Sequence, residues 1–308
     1  MRLVAVGALL IGVALSFSVI NGLAAKDTTP LVDVSWLKPV VCAEGITVLD
    51  VRRSTENYRA SHLPCAIHTN YYKDGWRTRK QGIPHMMPPT DQLEALIGRL
   101  GIKNNTHVVI YGSGTGPFDA AETTSIYLTF KYLGHDSVSI LDGGLPAWMA
   151  EWSADFDVGL HEITAAEFTA KPRADLLISR EGVQNALANK IPIIDVRSND
   201  MFMGINRAWM LSRSGTIPGA LNLPMSWLTV NAGLEFRDRK QLKQLFSAAG
   251  SPDSGKQIFF CNAGLESSMA WFVAHELLEN EQAVLYDGSL AEWTKDESLP
   301  LIRHVELN

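Results

Sequence analysis

The chain has 308 residues, 46% apolar and 19% charged, enough for two domains of ordinary size that each bury a core. This composition excludes a disordered or fibrous protein. Its 27 Lys and Arg against 33 Asp and Glu leave a net charge of −6. The basic residues gather only in small groups such as Arg77, Arg79 and Lys80, so nucleic-acid binding has no electrostatic footprint.

After Arg2, the stretch Leu3 to Ile20 carries no charge and only Ser16 and Ser18 interrupt it, and Gly22-Leu23-Ala24 then supplies a small-x-small cleavage pattern. Residues 1–25 therefore read as a secretory signal, which makes the mature protein exported and periplasmic, with no stable membrane association after cleavage. An uncleaved membrane anchor is the alternative, because the apolar run is just long enough to span a bilayer. Three cysteines in an exported chain leave at least one thiol free. Cys42 and Cys65 either pair or remain reduced core residues, and the sequence leaves both readings open.

Residues 26–150 alternate short apolar runs with helical patterns: strands are expected at Ile46–Asp50, His107–Tyr111 and Ser137–Leu141, helices at Asp91–Leu100 and Ala120–Leu133. A polar stretch without a clear strand, residues 151–171, reads as a connector. In residues 172–308 the alternation returns, with strands at Ile191–Asp195, Gln257–Phe260 and Ala283–Tyr286 and helices at Asp238–Ala249 and Ser267–Leu278. Unalternated apolar strands between helices predict parallel sheets covered on both faces, an α/β fold. The two halves are copies. Asp50 and Asp195, Asp142 and Asp287, and Trp148 and Trp293 are each 145 residues apart within matching local sequence.

Cys261 falls where the buried strand Gln257–Phe260 meets a short Gly-containing loop and a helical pattern. Loop amides and a helix N-terminus aimed at the sulfur are expected to lower the thiol pKa and to stabilise an anion there. The loop Asn262, Ala263, Gly264, Leu265, Glu266 and Ser267 is the candidate substrate cradle. The plainer alternative is a small apolar residue at a strand end. At the matching strand end of the first copy stands Gly112, and Gly112-Ser113-Gly114-Thr115-Gly116 lacks both the Gly-Lys-Ser/Thr ending of a P-loop and dinucleotide spacing. It reads as a degenerate active-site loop. The Asp50-Arg52 and Asp195-Arg197 pairs are expected to tie strand ends to neighbouring loops rather than to do chemistry.

Tyr58-Arg59-Ala60-Ser61-His62-Leu63-Pro64-Cys65-Ala66, its counterpart Gly215-Thr216-Ile217-Pro218-Gly219-Ala220, and the run Ala283 to Trp293 together resemble signatures of the two-domain rhodanese family, the thiosulfate and 3-mercaptopyruvate sulfurtransferases. The resemblance covers nearly everything after the signal. It implies two tandem rhodanese-like domains, each a parallel sheet with helices on both faces, the second carrying the catalytic Cys. It implies a double displacement through a Cys261 persulfide, a small sulfur donor (mercaptopyruvate, thiosulfate or polysulfide), a thiol or cyanide acceptor, and neither metal nor organic cofactor. Pro84-His85-Met86-Met87-Pro88 resembles a stretch of the mercaptopyruvate branch in which the His, with an acidic partner here at Asp74, lies at the domain interface. His85 held by Asp74 is thus expected either to move a proton or to serve as a structural interface pair.

Departures from the family pattern bear on the substrate. Glu266 stands where the family's loops commonly carry Arg or Thr, and Met201 stands where the mercaptopyruvate branch places an Arg for the substrate carboxylate; Arg207 and Arg213 are the nearby candidate replacements. A carboxylate near the sulfur raises a thiol pKa and repels a dianion. A phosphatase of the same fold would need Arg at position 267, which is Ser. The alternative to an enzyme is a non-enzymatic rhodanese-like sulfur carrier or partner-binding module.

Overall fold

The computed structural model describes residues 28–307 apart from Leu234 and Asp253, so the expected export segment lies outside the described residues. Eleven strands are present among the described residues: β1 Leu31–Val32, β2 Ile46–Asp50, β3 Ile67–His68, β4 Thr78–Lys80, β5 Ile83–Met86, β6 His107–Tyr111, β7 Val138–Leu141, β8 Ile193–Asp195, β9 Leu221–Asn222, β10 Gln257–Phe260 and β11 Ala283–Leu285. The first sheet has the order β1-β7-β6-β2-β3 and the second β11-β10-β8-β9, all parallel. Leu177 bridges Leu285 as β1 pairs β7, so the second sheet carries a vestige of the same edge. The central strands β6 and β10 are buried along their whole length, which explains why their sequences do not alternate. No helix among the described residues is long and apolar enough to cross a membrane.

The three strands expected in each copy form, within about two residues of their predicted ends. The two-residue strands β1, β3 and β9 and the antiparallel hairpin β4–β5 do not show in the sequence, since so few residues display no periodicity.

The ends of β2 and β8 are each braced by a buried ion pair. Asp195 accepts bonds from the Arg197 guanidinium at 2.6 to 3.2 Å, and Arg197 also donates to the Gly215 carbonyl at 2.9 Å. Asp50 and Arg52 repeat this with the Ser61 carbonyl at 2.6 Å. Burying such a pair is tolerable because every partner is hydrogen-bonded.

The domains meet along two helices, Pro117–Tyr132 and Leu265–Phe272. Thr124 and Ser268 hydroxyls lie 2.9 Å apart, and Tyr127 stacks edge-on against Phe272 at 4.8 Å. Residues 120–130 are buried on all sides because one face covers their own sheet and the other meets the second domain. Two carboxylates are exchanged reciprocally: Asp142 accepts from the Phe236 amide at 2.9 Å and Asp287 from the Met87 amide at 2.7 Å.

Cys42 and Cys65 form a disulfide. Cys65 occupies a left-handed backbone conformation, φ 57°, a region that glycine favours. Bridging residues 23 apart restricts the unfolded chain, an effect of roughly 3 kcal/mol in the chain-entropy description. The double variant Cys42→Ser/Cys65→Ser is expected to lose about that much in denaturant unfolding; an unchanged midpoint would show that the crosslink does not constrain the unfolded state.

Candidate active site

Parallel strands deliver their side chains and amides to the carboxyl-terminal edge of a sheet, and β10 ends there with Phe260 directly before Cys261. Gly264 makes the turn at φ +79° and caps the helix Leu265–Phe272. A Cβ at this position would stand 2.8 Å from the Asp287 carbonyl oxygen, so glycine is required twice over, by conformation and by space. Ser289 locks the loop from the other side. Its Oγ accepts from the Cys261 amide at 3.1 Å and the Gly264 amide at 3.2 Å, and donates to the Tyr286 carbonyl at 2.8 Å. With its hydrogen engaged there, its 4.0 Å approach to the sulfur is only a packing contact.

The sulfur itself is fully buried and receives the Ser267 hydroxyl at 3.5 Å. The sequence predicts a lowered thiol pKa; the structure corrects this. Burial pushes the Cys261 thiol from 9.0 up to about 11, the Glu266 carboxylate adds to the rise, and the Ser267 hydroxyl with the Ser267 and Ala263 amides only partly oppose it. Loop dipoles do face the sulfur as expected, but desolvation outweighs them.

Glu266 is buried in the same loop, and its carboxylate accepts from Asn262 Nδ2 at 2.9 Å. Asn262 Nδ2 also lies 3.7 Å from Met201 Sδ, so the thioether fills the place where an Arg was sought. Burial lifts the Glu266 carboxyl from 4.5 to about 7.

Asn262, Ala263, Gly264, Leu265, Glu266 and Ser267 are thus gathered around Cys261, whereas the other candidates are not. Asp74 accepts from Thr69 Oγ1 at 3.0 Å and the Asn70 amide at 2.6 Å, closing a turn of its own domain, and no hydrogen bond or ion pair joins it to His85. His85 instead sits edge-on to Tyr72 at 5.9 Å, in a cavity of about 210 Å³ with Arg77, Arg79 and Trp209. Burial, then Arg77 and Arg79, hold its imidazole below the usual range. His85 thus lies at the domain interface, facing Trp209, and the same stretch reaches the second domain through the Met87 amide. Arg207 donates to the Leu211 carbonyl at 2.5 Å, and Arg213 donates to the carbonyls of Thr294, Leu299 and Asp296. The Arg213 guanidinium is committed to backbone through all three nitrogens, whereas Arg207 spends a single nitrogen there. Ser289 and Asp287 are site residues that sequence reasoning did not single out, although the change from Gly144 to Ser289 between the copies marks the first of them.

In the first domain the equivalent loop is closed. The Gly112 carbonyl accepts from the Leu145 amide as the Cys261 carbonyl accepts from the Leu290 amide. The Asp119 carboxylate fills the loop, accepting from Ser113 Oγ, Thr115 Oγ1 and the Thr115 amide at 2.6 to 2.9 Å.

Because Glu266 titrates near 7 in the fold against 4.5 when exposed, the fold binds its proton more tightly, and stability present below about pH 4.5 is lost as pH rises through about 7. The interval of about 2.5 units corresponds to roughly 3 kcal/mol. Glu266→Gln is therefore expected to be more stable than the parent by up to about 3 kcal/mol above pH 7, the gain vanishing near pH 4. Denaturant midpoints that differ by the same amount at both pH values would contradict the burial of an ionising group.

Known proteins agree with this geometry. The Rhodanese-like domain model matches residues 33–151 and 179–296. A putative thiosulfate sulfurtransferase of Haloferax volcanii is 34% identical over 254 residues, covering 80% of this chain and 85% of its own. Thiosulfate/3-mercaptopyruvate sulfurtransferase 2 of Arabidopsis thaliana is 29% identical, covering 89% and 86%. Among solved structures, the 3-mercaptopyruvate sulfotransferase SseA of Escherichia coli superposes with a TM-score of 0.74 at 25% identity, covering 85% of this chain and 99% of that one. With both domains matched and the thiol at the strand end of the second, the chain belongs to the two-domain rhodanese family of sulfurtransferases.

Proposed function

We propose that the protein moves a sulfane sulfur from a small donor to a thiol or cyanide acceptor through a persulfide on Cys261, and that its donor carries less charge than the thiosulfate dianion. The ionised thiol attacks the outer sulfur of the donor. The donor's bond to that sulfur breaks, its electron pair leaving with the remainder, and a Cys261 persulfide forms. An acceptor nucleophile then takes the terminal sulfur, and the electron pair of the S–S bond returns to Cys261. Electrons balance in each half without a cofactor. The Ser267 hydroxyl and the loop amides supply the dipoles that meet negative charge developing on sulfur.

The observation that carries the donor assignment is the buried Glu266 carboxylate acting on the Cys261 sulfur. At an effective dielectric near 20 and a separation of about 6 Å, each pair of like charges costs roughly 2 to 3 kcal/mol. A dianion meets that cost about twice over. The resting thiol, held near 11, supports the same reading, because a second negative charge in the closed loop is opposed by burial and by Glu266 together.

We also place the mature protein outside the cytoplasm, in the periplasm of a two-membrane cell. The uncharged stretch Leu3 to Ile20 and the Cys42–Cys65 disulfide support this reading.

Mass spectrometry after separate exposure to thiosulfate, mercaptopyruvate and polysulfide is expected to find one added sulfur on the Cys261 peptide, lost in Cys261→Ser with the fold intact. Above about pH 8, where Glu266 is ionised, Glu266→Gln is expected to raise thiosulfate turnover at least about tenfold, and turnover of a neutral donor much less. Rapid thiosulfate turnover by the parent, unchanged in Glu266→Gln, would remove the electrostatic account; transfer surviving in Cys261→Ser would remove the persulfide. For location, the native N-terminus is expected near Ala25 or Lys26 in a soluble exported fraction. An intact Met1 in membranes would instead establish the anchor.

A further inference from the structure

His62, Asp157 and His161 each aim one ligand atom into a common space, all three atoms lying within 4.8 Å of one another. The group is remote in sequence from the Cys261 loop and has no part in the chemistry above. His62 is fully buried. Its Nδ1 lies 2.7 Å from the Tyr58 carbonyl, which can only accept, so Nδ1 carries the proton and Nε2 carries the lone pair. That Nε2 is buried and has no hydrogen-bond partner. A ring N–H held by a backbone carbonyl, with the other nitrogen bare, is the arrangement by which proteins fix a metal-ligating imidazole. Asp157 Oδ2 lies 3.2 Å from His161 Nε2 and accepts from the Cys65 amide at 2.8 Å.

The duplication supplies a control within the molecule. His62 and Asp157 exchange backbone hydrogen bonds, and in the second domain Thr216 and Ile302 form the same antiparallel bridge. Thr216 and Ile302 offer no such pair of ligands, so the bridge does not require His62 and Asp157. Thr216 Oγ1 donates to Asp195 at 2.7 Å, whereas in the first domain the Tyr111 hydroxyl donates to the equivalent Asp50. Phe260, which stands opposite Asp195 as Tyr111 stands opposite Asp50, has no hydroxyl to give. His62 is thereby released from bracing the strand end and turned toward Asp157 and His161.

We propose that His62 Nε2, His161 Nε2 and Asp157 bind a divalent transition ion of the zinc class, which pins the connector to the first domain beside the Cys42–Cys65 disulfide. Two imidazoles and one carboxylate suit zinc or copper and not calcium or magnesium, which take oxygen ligands. A tetrahedral zinc holds its ligand atoms about 3.3 Å apart, so the cluster must contract on binding. The connector can supply that movement, because His161 and Asp157 are about one-third exposed.

The test uses the full chain, free of any affinity tag and stripped with a chelator, then titrated with Zn²⁺ by calorimetry and with Co²⁺ by visible absorption. One equivalent is expected in the parent and in Cys261→Ser, with binding weakened at least about 100-fold in His161→Ala. The thermal midpoint is expected to rise with zinc in the first two proteins and not in the third. His161 is used because replacing buried His62 could unfold the domain. Absence of stoichiometric binding by the parent, equal binding by His161→Ala, or binding lost only in Cys261→Ser would each overturn the site.

Discussion

Each domain lends the other one buried acceptor. Asp142 takes the Phe236 amide and Asp287 takes the Met87 amide, on either side of the paired helices Pro117–Tyr132 and Leu265–Phe272. Burial raises both carboxyls, so holding them there is costly unless a donor from the opposite domain is in place. The Cys261 loop depends on this exchange, because Gly264 turns directly against the Asp287 backbone and Ser289, two residues on, holds the Cys261 and Gly264 amides. The loop geometry is therefore a property of both domains together, although every atom of the loop belongs to the second.

The same burial decides the electrostatics. A helix N-terminus favours a nearby anion by a few tenths to about 2 kcal/mol, whereas full desolvation of a thiolate or carboxylate moves its pKa by up to several units. The Cys261 thiol near 11 and the Glu266 carboxyl near 7 show desolvation winning in each case. Glu266 has no guanidinium bonded to it, only the Asn262 amide; Arg197 opposes its charge from a distance but is itself paired with Asp195. A loop of this fold with a cation at the same place would invert the sign of the field on an arriving donor.

The strands β2, β6 and β10 could be read to the residue because continuous burial leaves an apolar run with sharp polar ends, and the repeat fixed which strand end faces which. The loop from Asn262 to Ser267 followed from being contiguous with Cys261. What the sequence did not display was how residues distant in it are satisfied. Asp74 satisfies a turn five residues away, and Arg207 and Arg213 satisfy backbone carbonyls, needs that a sequence does not display. The thiol pKa is not legible for a related reason: the dipoles are local in sequence, while the desolvation comes from tertiary packing around the sulfur. The disulfide lay between these cases, since pairing was admissible from the count but only the fold brings Cys42 and Cys65 together.

Comparison of the copies shows how one scaffold came to hold two different sites. At the strand end the nucleophile position is Gly112 in one and Cys261 in the other, and where the sulfur is gone the Asp119 carboxylate occupies the loop and consumes its donors. One residue earlier, Tyr111 carries a hydroxyl that Phe260 lacks, and the buried Asp must be satisfied in both. In the second domain that demand fixes Thr216, so the position is closed to other chemistry. In the first, Tyr111 meets it, and position 62 is free to bear an imidazole whose lone pair no protein group uses. The glycine at position 112 and the bare imidazole at position 62 both stand around Tyr111 and the Asp50 carboxylate, so the first domain keeps a polar site of its own where the second spends the same positions on bracing the strand end.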